Sequence, residues 1–479
     1  IDRDNRQVLV KNLATGQEEN LPYDRLVLAT GSIPVVPPLL GAGLDGVFTV
    51  TDLGKAKAIK ERLAKGTVSK AVVLGGGAIG IEMAEALADL WGVETSIVEM
   101  MDQLLPGIID DNVALMAQRH LEENGVTVYS GEKALAIEGV QGKVRRLVTD
   151  KRAIDVDLVI LAVGVRPNSR LAREAGLQIG PLGGIVVNQR LQTSDPNIYA
   201  GGDCVEMTDL ISGTQTYAPL GSLANRQGRV IGSNLAGKAE SFDGAVGSFI
   251  IKIFDNCVAK TGLSLHSART LGFDAFAAFV VQADKAHFYP DSDLLYMQLI
   301  VDRPTQRVLG VQGIGANKEG LFGRIAAVAA ILKYKPTIQD ISNLEVPYSP
   351  PYSSAMDILN TLGNTAQNMV EGRNRVIGQD QFRKRFEEKG ANDTVFLDVR
   401  AKTQSEPLAD AYGESWLCIP QDELKERLDE IPDDKEVILV CNAGGRSFEA
   451  QLTLAAAGKN KTLNLPGGIG GLKKSGIIL

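Results

Sequence analysis

The sequence predicts an α/β protein with a doubly wound parallel sheet, followed by a mixed sheet and a small separate α/β domain. Short apolar runs such as Ala71 to Leu74 alternate with segments of helical periodicity, which is the pattern of parallel strands connected by helices. After Ser248, longer strand-like runs follow one another, including Phe249 to Phe254 and Leu294 to Val301, and these indicate a mixed or antiparallel sheet. The 479 residues are enough for about three domains.

The composition is that of a globular protein and excludes several classes of partner. The net charge of −8 argues against a nucleic-acid partner, which would require a basic face. No apolar run reaches the ~18 residues of a membrane-spanning helix, so we expect no membrane segment. The four cysteines and three histidines lack metal-ligand spacing. We therefore predict no metal site and expect the protein to be cytoplasmic.

The first elements of the sheet lie before residue 66. Gln7 to Val10 and Leu26 to Ala29 are predicted strands. Thr51 to Lys65 is a predicted helix that Thr51 or Asp52 can cap. Because the chain begins with Ile1 inside an alternating, strand-like segment, we expect further residues upstream.

A glycine triplet stands immediately after the apolar run Ala71 to Leu74. Gly75, Gly77 and Gly80 have the G-x-G-x-x-G spacing. The first glycine permits a tight turn, the second lets backbone approach a pyrophosphate, and the third lets a helix pack close to a strand. Apolar residues from Ile79 onwards recur at helical spacing, so we predict that a helix begins at the glycines. Its free N–H groups favour phosphate, which predicts a dinucleotide site.

A carboxylate follows the next predicted strand. Thr95 to Val98 is that strand, and Glu99 comes after it, near the expected ~20 residues beyond the glycines. A carboxylate in this place accepts hydrogen bonds from a ribose 2′-OH and repels a 2′-phosphate. No Arg or Lys occurs between Met100 and Pro106. The sequence therefore favours NADH over NADPH.

A second stretch typical of ligand binding lies after residue 190. Gly201 and Gly202 let the backbone approach a ligand that Asp203 then faces. An Asp at the end of a strand is equally typical of a helix cap, and the residues alone leave both interpretations open. The predicted elements on either side are the helix Asp110 to Asn124, the strands Val126 to Tyr129, Leu158 to Val163 and Ile198 to Ala200, and the helix Gly221 to Gly237.

The last ~100 residues fit a separate small domain, reached through the predicted linker Glu371 to Asp380. A predicted helix, Gln421 to Ile431, and a predicted strand, Val437 to Val440, precede the loop CNAGGRS. In this loop Cys441 stands where a strand turns into a helix. Loop N–H groups, the helix N-terminus and Arg446 would stabilise a thiolate or a bound anion there.

Cys441 is therefore predicted to be a reactive nucleophile. The alternative is a small buried hydrophobic residue, the usual role of a free cysteine. We assign Cys257 and Cys418, which lie in strand-like runs, to that role, whereas Cys204 beside Asp203 is ambiguous.

The loop CNAGGRS, with VFLDVR before it and NLPGG after it, resembles a rhodanese domain. Residues 1–372 resemble the flavin-dependent pyridine nucleotide–disulfide oxidoreductases, through the motifs YDRLVLATGSIPVVP, GGGAIGIE, NIYAGGD, PLGSLANRQGR and YSPPYSSAMD. The combination resembles coenzyme A-disulfide reductases with a rhodanese tail, a group that includes NADH-dependent persulfide reductases. It implies FAD and NADH as cofactors and coenzyme A as a bound substrate or ligand.

The resemblance also implies roles for single residues. Asp203 would bind the ribityl chain of FAD, Glu82 would orient the nicotinamide, and Cys441 with Arg446 would handle sulfane sulfur. Tyr348 and Tyr352 would reach the active site of a partner subunit, the alternative being simple interface packing. The implied cofactor-binding residues are Ala29, Thr30, Gly31, Gly75, Gly77, Ala78, Ile79, Gly80, Glu82, Glu99, Gly164, Gly202, Asp203, Gly221, Ser222 and Ala224.

Two features depart from the family pattern. The first flavin-binding glycine unit and the redox cysteine after it would lie before Ile1. We therefore expect the sequence to be part of a longer chain, the alternative being a protein without the thiol chemistry of the family. Ala78 stands where the family commonly has an aromatic residue over the flavin, so we expect no such gate.

The predicted architecture is two interleaved doubly wound domains for FAD and NAD, an α+β interface domain and a rhodanese-like α/β domain. Their predicted ranges are 1–66 and 191–246 for FAD, 67–190 for NAD, 247–371 for the interface and 372–479 for the rhodanese-like domain. We expect a homodimer that uses NADH to reduce a small disulfide or persulfide. The alternatives are an NADH oxidase and a non-catalytic NADH-responsive redox sensor.

Overall fold

The computed structural model of the chain describes residues 1–286, 288–316, 319–388 and 393–479. Two compact units are formed, residues 1–83 with 132–247, and residues 84–131 with 248–479. Among the helices that the structure describes, none has the length and hydropathy needed to cross a bilayer.

The elements up to residue 131 alternate as the sequence predicts. They are β1 (Gln7–Lys11), β2 (Glu18–Pro22), β3 (Leu26–Leu28), β4 (Ser32–Pro34), β5 (Val47–Thr49), α1 (Leu53–Ala64), β6 (Lys70–Leu74), α2 (Ala78–Glu85), a π-helical turn (Ala86–Leu90), β7 (Glu94–Val98), α3 (Asp111–Glu123) and β8 (Val126–Tyr129). Asp52 caps α1 by accepting a 2.8 Å hydrogen bond from the Lys55 N–H, which confirms one of the two predicted caps.

Residues 132–247 complete the first unit. Their elements are β9 (Ala134–Val140), β10 (Lys143–Thr149), β11 (Ala153–Asp155), β12 (Leu158–Leu161), β13 (Val165–Pro167), α4 (Arg170–Glu174), β14 (Ile198–Ala200), β15 (Met207–Thr208), β16 (Gln215–Thr216) and α5 (Gly221–Leu235). The antiparallel strands β9 to β11 were not expected from the sequence. Exposed charges interrupt the apolar alternation in β10, which explains why the strand pattern is weak.

The sheets of the first unit bring its ligand-type stretches to strand ends. β12 lies between β5 and β6 in parallel register, and the glycine triplet follows β6, which is buried from Ala71 to Leu74. β3 and β14 also pair in parallel, with Leu28 opposite Ala200. The carboxyl ends of parallel strands meet at one edge of a sheet, which is where α/β proteins bind ligands.

The second unit contains a five-stranded antiparallel sheet. Its strand order is β17-β18-β21-β20-β19, as expected for a mixed or antiparallel sheet. The elements from 248 to 371 are β17 (Phe249–Ile253), β18 (Asn256–Gly262), α6 (Leu265–Thr270), β19 (Ala275–Ala283), β20 (Leu294–Asp302), β21 (Val308–Ala316), α7 (Glu319–Leu332), α8 (Ile338–Ser342) and α9 (Ile358–Val370).

Asp110 joins α3 to this sheet. The carboxylate, 5% exposed, accepts hydrogen bonds from the backbone N–H groups of Leu265 and His266 at 2.9 and 3.1 Å, and from Gln298 Nε2 at 3.0 Å. The Gln312 side-chain amide also donates to it. A buried carboxylate with this many donors is satisfied without a counter-ion. Asp110 therefore fixes the start of α3.

The C-terminal domain is a four-stranded parallel sheet in the order β23-β22-β24-β25. Its elements are α10 (Gln379–Glu387), β22 (Thr394–Asp398), α11 (Lys402–Tyr412), β23 (Trp416–Cys418), β24 (Glu436–Val440), α12 (Gly445–Ala456), β25 (Thr462–Asn464) and α13 (Gly468–Lys474). Its core includes the buried side chains of Phe382, Phe396, Trp416 and Ile438.

The helix predicted over Gln421 to Ile431 is wrong. The structure has two short 3-10 turns there, Leu424–Glu426 and Leu428–Glu430. The apolar spacing is helical, but Leu424 and Ile431 are both buried against the sheet, and Arg427 between the turns leaves the helical conformation. Tertiary packing therefore overrides local periodicity.

The predicted linker is an ordered edge of the C-terminal domain up to residue 378. The Ile377 N–H donates to the Asn464 carbonyl at 3.0 Å, and the Asn464 N–H donates to the Arg375 carbonyl at 2.7 Å. Gln451 Nε2 also donates to the Arg375 carbonyl at 3.0 Å. Residues 379 and 380 already belong to α10.

His120 of α3 lies near the C-terminal helix α13. The ring is 6% exposed, and its Nε2 is 2.7 Å from Asp255 Oδ1. Burial, together with the positive charge of Lys474, lowers the pKa of His120 below its usual 6.5, although Asp255 and Glu123 act in the opposite direction. The neutral ring is thus the form that the folded state favours.

A pH dependence of stability follows from this lowered pKa. As pH falls below about 6.5, His120 is protonated in the unfolded chain before it is protonated in the folded protein. The stabilisation of the folded state by neutral His120 is therefore complete above about pH 6.5 and is lost as pH falls through the folded-state pKa. We expect the thermal midpoint to fall less between about pH 7.5 and 5.5 in His120→Gln than in the wild type. The exposed His266→Gln is the control, and equal falls in wild type and His120→Gln would contradict the prediction.

Candidate functional site

The glycine triplet forms a close strand–helix turn. Gly75 has φ +108°, and a Cβ on it would lie 2.4 Å from the Ala162 carbonyl oxygen. A Cβ on Gly80 would lie 1.9 Å from the Gly75 carbonyl oxygen, so no side chain fits where α2 meets β6. A Cβ on Gly77 would meet nothing within 4 Å, which leaves open space beside its backbone. This cradle fits a pyrophosphate at the helix N-terminus.

The predicted nicotinamide-side residues lie on the first turns of α2. Ala78 begins the helix, Ile79 is 40% exposed, and Glu82 is exposed one turn further on. Glu99 belongs to the second unit, where it follows β7. It is largely buried, and its Oε1 accepts a 2.8 Å hydrogen bond from the Met101 N–H. Its contact with a ribose stays a prediction.

Thr30 and Gly31 are locked to the segment after Gly164. Thr30 Oγ1 donates to the Asn168 carbonyl at 2.6 Å, and Asn168 Nδ2 donates back to the Thr30 carbonyl at 3.1 Å. The Asn168 N–H donates to the Gly31 carbonyl at 2.9 Å. Gly31 and Gly164 both have positive φ and no atom within 4 Å of an added Cβ. Gly31 follows β3 and Ala29, Gly164 follows β12, and both backbone turns fit a close ligand approach.

Asp203 lies in a polar cluster after β14. Ser32 Oγ donates to Asp203 Oδ2 at 3.1 Å. The hydroxyl of Tyr217 is buried without a hydrogen-bond partner in the described part of the chain. Burial, with the nearby Asp203 charge, raises the pKa of Tyr217 to about 12. A buried hydroxyl left unpaired costs free energy, so an additional polar group such as a cofactor hydroxyl would satisfy this cluster.

Helix α5 packs directly against the glycines before Asp203. The Gly202 N–H donates to Gln227 Oε1 at 2.7 Å, and Gly202 lies against Ala224, 3.6 Å from the position of its added Cβ. Gln227 is fully buried, and its Nε2 has no hydrogen-bond partner among the described residues. The exposed N-terminus of α5 begins at Gly221 and Ser222. The structure thus brings together the predicted residues Gly202, Asp203 and Ala224.

Cys204 and Cys257 occupy core positions. Cys204 is buried, with its Sγ 3.5 Å from the Leu28 carbonyl and 3.3 Å from the Gly201 carbonyl. Burial raises the pKa of Cys257 to about 11, which disfavours a thiolate. Cys418 is half-buried and contacts the Ser405 hydroxyl. In the described ranges no cluster of side chains has a composition suited to a metal ion.

The aromatic segment before α9 exposes its tyrosines. Tyr348 is 55% exposed and Tyr352 75%. The turn is held by a 2.9 Å hydrogen bond from the Tyr352 N–H to the Ser349 carbonyl. A 3.0 Å hydrogen bond from Ser353 Oγ to the Pro347 carbonyl also holds it. Two large aromatic residues are thus presented on an ordered surface turn.

A buried ion pair anchors the end of this segment. Arg324 of α7 and Asp357, the N-cap of α9, are 8% and 2% exposed. Arg324 donates from Nε and from a terminal nitrogen to Asp357 Oδ2 at 3.0 and 2.6 Å. The same terminal nitrogen donates to the Asp284 carbonyl at 2.9 Å. Sequence reasoning missed this pair because Asp357, although it ends the YSPPYSSAMD motif, lies 33 positions from Arg324, and nothing local connects the two.

Cys441 lies in a closed cradle at the end of β24. It is 2% exposed, and its Sγ accepts a 3.1 Å hydrogen bond from the Gly444 N–H. Ser447 Oγ lies 3.2 Å from the same sulfur. A Cβ on Gly468 would lie 2.1 Å from the Cys441 carbonyl oxygen, so the following NLPGG turn closes on the loop. The Gly444 N–H and the N-terminus of α12 stabilise a thiolate or a persulfide sulfur.

Arg446 is exposed on the first turn of α12, outside the cradle of Cys441. It lines a cavity of about 470 Å³ together with Val399, Pro420, Gln421 and Lys425. Arg446 and Lys425 outweigh the one acidic lining residue, Asp422, and the resulting positive charge favours an anionic substrate. The arginine therefore lies at an approach to the loop rather than on the sulfur.

Several residues of these sites were not predicted as site residues. They are Ser32, Tyr217, Gln227, Ser447 and Asn464. Ser447 could have been found, because it is the final residue of the CNAGGRS loop and begins the helix beside the cysteine. The others were missed although Ser32, Gln227 and Asn464 stand within quoted motifs, because the motifs do not show which distant residue each of them contacts.

The chain matches three protein families in order. Residues 1–228 match the pyridine nucleotide-disulphide oxidoreductase family, residues 249–359 match its dimerisation domain, and residues 379–475 match the rhodanese-like domain. An NADH oxidase of Methanocaldococcus jannaschii is 37% identical over 374 residues, covering 78% of this chain and 82% of that protein. An NAD(P)H sulfur oxidoreductase (CoA-dependent) of Pyrococcus abyssi is 37% identical over 342 residues, covering 71% and 75%.

Solved structures match nearly the whole chain. A NAD-dependent persulfide reductase from A. fulgidus is 39% identical with a TM-score of 0.91, covering 98% of this chain and 83% of that chain. The reduced Bacillus anthracis CoADR-RHD is 32% identical with a TM-score of 0.89, covering 99% and 83%. These matches confirm the predicted fold class. The chain belongs to the pyridine nucleotide-disulphide oxidoreductases, enzymes that use FAD and NAD(P)H, and it carries the dimerisation and rhodanese-like domains that its sequence predicted.

Proposed function

We propose that this enzyme uses NADH to reduce coenzyme A disulfide, coenzyme A persulfide or polysulfide, and that Cys441 carries sulfane sulfur. The observation that carries the proposal is the Cys441 cradle, in which the Gly444 N–H and the Ser447 hydroxyl lie 3.1 and 3.2 Å from the sulfur. A sulfur carrier on the same chain as a dinucleotide enzyme has a direct use in sulfur reduction. The relatives named CoA-dependent sulfur oxidoreductase and persulfide reductase support this substrate class.

Residues of the first unit would hold the cofactors. The open backbone at Gly77 would receive the pyrophosphate of NADH, and Glu82 would orient the nicotinamide. Asp203, fixed by Ser32, would accept from a hydroxyl of FAD, and the α5 N-terminus at Gly221 would face the flavin ring, where its dipole favours negative charge. When bound, nicotinamide and flavin supply two-electron transfer.

Glu99 supports NADH rather than NADPH as the reductant. Its backbone and one carboxylate oxygen are held by Tyr129 and Met101, so the carboxylate has a fixed place after β7. A fixed negative charge accepts from a ribose hydroxyl and repels a 2′-phosphate.

The sulfur step at Cys441 requires a thiolate nucleophile. The thiolate attacks the outer sulfur of a persulfide R–S–SH, a new S–S bond forms, and the R–S⁻ thiolate leaves, so that Cys441 carries –S–SH. The Gly444 N–H and the helix N-terminus stabilise negative charge on the sulfur before and after transfer. Arg446 and Lys425, at the adjoining cavity, would attract an anionic donor such as a phosphorylated thiol.

Homodimerisation and a cytoplasmic location complete the proposal. The dimerisation-domain match at 249–359 includes Tyr348 and Tyr352, whose exposed rings would then meet the partner subunit's site. The four cysteines are all free, which supports a reducing compartment.

Cys441→Ser in the full-length holoenzyme tests the central claim. We expect complete loss of sulfane-sulfur uptake from coenzyme A persulfide, measured as a mass increase of one sulfur atom on the Cys441 peptide. Reduction of the flavin by NADH, followed in a stopped-flow spectrometer, should keep its wild-type rate because Cys441 is not among the residues proposed to hold either cofactor. Cys418→Ser is the matched control, with both activities retained. Loss of both activities in Cys441→Ser, or of neither, contradicts the two-centre proposal.

NADH oxidase is the second candidate, because the M. jannaschii relative with that name is 37% identical. The two functions are distinguished by measuring NADH consumption in air and under argon. An oxidase consumes NADH in air and forms peroxide or water without a sulfur acceptor. A sulfur reductase turns over under argon when coenzyme A disulfide or persulfide is supplied.

A further inference from the structure

The carbonyl of Gly444 is held by three donors. It accepts hydrogen bonds from the Phe448 N–H at 3.2 Å, Ser447 Oγ at 3.1 Å and Asn464 Nδ2 at 3.3 Å. Gly444 has φ +95°, in the left-handed region that glycine adopts readily. Because glycine has no side chain to restrict its backbone, the orientation of the Gly444 peptide groups depends on the hydrogen bonds that they make. The orientation matters here because the N–H of this same residue donates to Cys441 Sγ.

Asn464 reaches Gly444 from the end of β25. It is 2% exposed, and its Nδ2 also donates to Asn374 Oδ1 at 3.1 Å. The amide nitrogen has two hydrogens and faces two oxygens, whereas the flipped amide would place its oxygen against the Gly444 carbonyl oxygen. The side-chain orientation is therefore set by its two acceptors.

Asn374 connects this pair to the helix that precedes the C-terminal domain. Its N–H donates to the Asn368 carbonyl of α9 at 3.0 Å, and the residue is 6% exposed. Hydrogen bonds thus run without a break from α9 through Asn374 and Asn464 to Gly444 and the sulfur of Cys441. The connecting segment after α9 is part of the sulfur site.

We infer that Asn464, supported by Asn374, is a positioning residue that holds the Gly444 N–H on the sulfur of Cys441. The inference rests on the proposed function, in which Cys441 reacts as a thiolate. An N–H donor favours the thiolate over the thiol. Without the Asn464 amide, Gly444 loses one of three constraints, its N–H leaves the sulfur more often, and thiolate formation moves to higher pH.

Asn464→Leu in the full-length holoenzyme tests this, because it keeps the volume and removes the donor. The readout is the rate at which iodoacetamide alkylates Cys441, which forms an S–C bond and releases iodide, measured on the Cys441 peptide by mass spectrometry across pH. We expect the midpoint of the pH profile to rise by about one unit and the rate near neutral pH to fall about tenfold. At high pH the rates should converge, because both proteins are then thiolates.

Asn374→Ala should shift the midpoint in the same direction by less, since Asn464 keeps its contact with Gly444. Asn460→Leu, an exposed neighbour before β25, is the matched control and should leave the profile unchanged. The inference is overturned if the pH profiles of Cys441 alkylation are superimposable in wild type and Asn464→Leu. It is also overturned if the rate in Asn464→Leu is reduced equally at every pH, because that indicates general damage to the fold. If Asn464→Leu does not fold, Asn374→Ala decides by the same criteria.

The proposed function has a separate criterion in the same protein. A wild type that accepts no sulfane sulfur at Cys441 from coenzyme A persulfide refutes the proposed function, whatever the alkylation profile shows. A wild type that accepts it, with Asn464→Leu unchanged in both assays, refutes only the positioning role.

Discussion

Replacing Arg324 with methionine is expected to destabilise the protein by about 3–5 kcal/mol, because it leaves the Asp357 carboxylate buried and unpaired. Asp357 is 2% exposed, and Arg324 is bound to it through two nitrogens. Arg324 also donates to the carbonyls of Asp284 and Gly320, so three acceptors lose their donor together. Denaturant titration followed by circular dichroism measures the change in the free energy of unfolding.

A second substitution separates the charge from the packing. Asp357→Asn removes the charge while its oxygen can still accept from the Leu359 N–H, as Asp357 Oδ1 does at 3.0 Å. The double variant Arg324→Met/Asp357→Asn should therefore regain much of the lost stability. Arg170→Met, from the exposed pair with Glu174, is the control and should cost no more than about 0.5 kcal/mol. A double variant as unstable as Arg324→Met alone would show that the unpaired charge is not the cause.

Substitutions at the glycine triplet should separate cofactor binding from folding. Gly80→Ala places a Cβ 1.9 Å from the Gly75 carbonyl oxygen, so α2 must move away from β6. Gly77→Ala meets no protein atom within 4 Å and fills only the space proposed for the pyrophosphate. We expect both variants to weaken NADH binding at least about tenfold, or ~1.4 kcal/mol. Only Gly80→Ala should also lower the thermal midpoint.

Isothermal titration of the FAD-loaded protein with NAD⁺, the form of the dinucleotide that cannot reduce the flavin, measures the binding. Flavin absorbance reports FAD content, which should stay at the wild-type level. Gly43→Ala is the matched control, because a Cβ there also meets nothing within 4 Å and the residue lies outside the triplet. Wild-type NADH affinity in Gly77→Ala would refute the proposed place of the pyrophosphate.

Local sequence patterns were sufficient to predict those structural features that are built from residues close together in the sequence. The triplet Gly75, Gly77 and Gly80 is a strand–helix turn because Gly75 and Gly80 each meet a steric requirement within it, while Gly77 leaves open space beside its backbone. The loop from Cys441 to Ser447 is likewise readable, since a cysteine between a buried strand and a helix start has its N–H donors from its own loop. The helix Asp110 to Asn124 and the strand Ile198 to Ala200 were predicted within a residue or two.

Local sequence patterns predicted the wrong structure where tertiary packing decides the conformation. The stretch Gln421 to Ile431 has helical periodicity, yet burying Leu424 and Ile431 against the sheet divides it into two short turns. The predicted linker before α10 became an edge of the C-terminal domain, because its backbone groups pair with those of Asn464. Neither outcome is encoded within a few residues of the segment itself.

The sequence by itself determined the succession of domains, the glycine turn after β6 and the loop that carries Cys441, because periodicity, glycine spacing and loop composition act over one or two turns of chain. Only the tertiary structure decided which distant side chains complete each site. Ser32 meets Asp203 across 171 positions and Asn464 meets Asn374 across 90, and both contacts depend on how strands and helices pack. Such pairs are selected by the shape of the folded core, which short-range patterns do not specify.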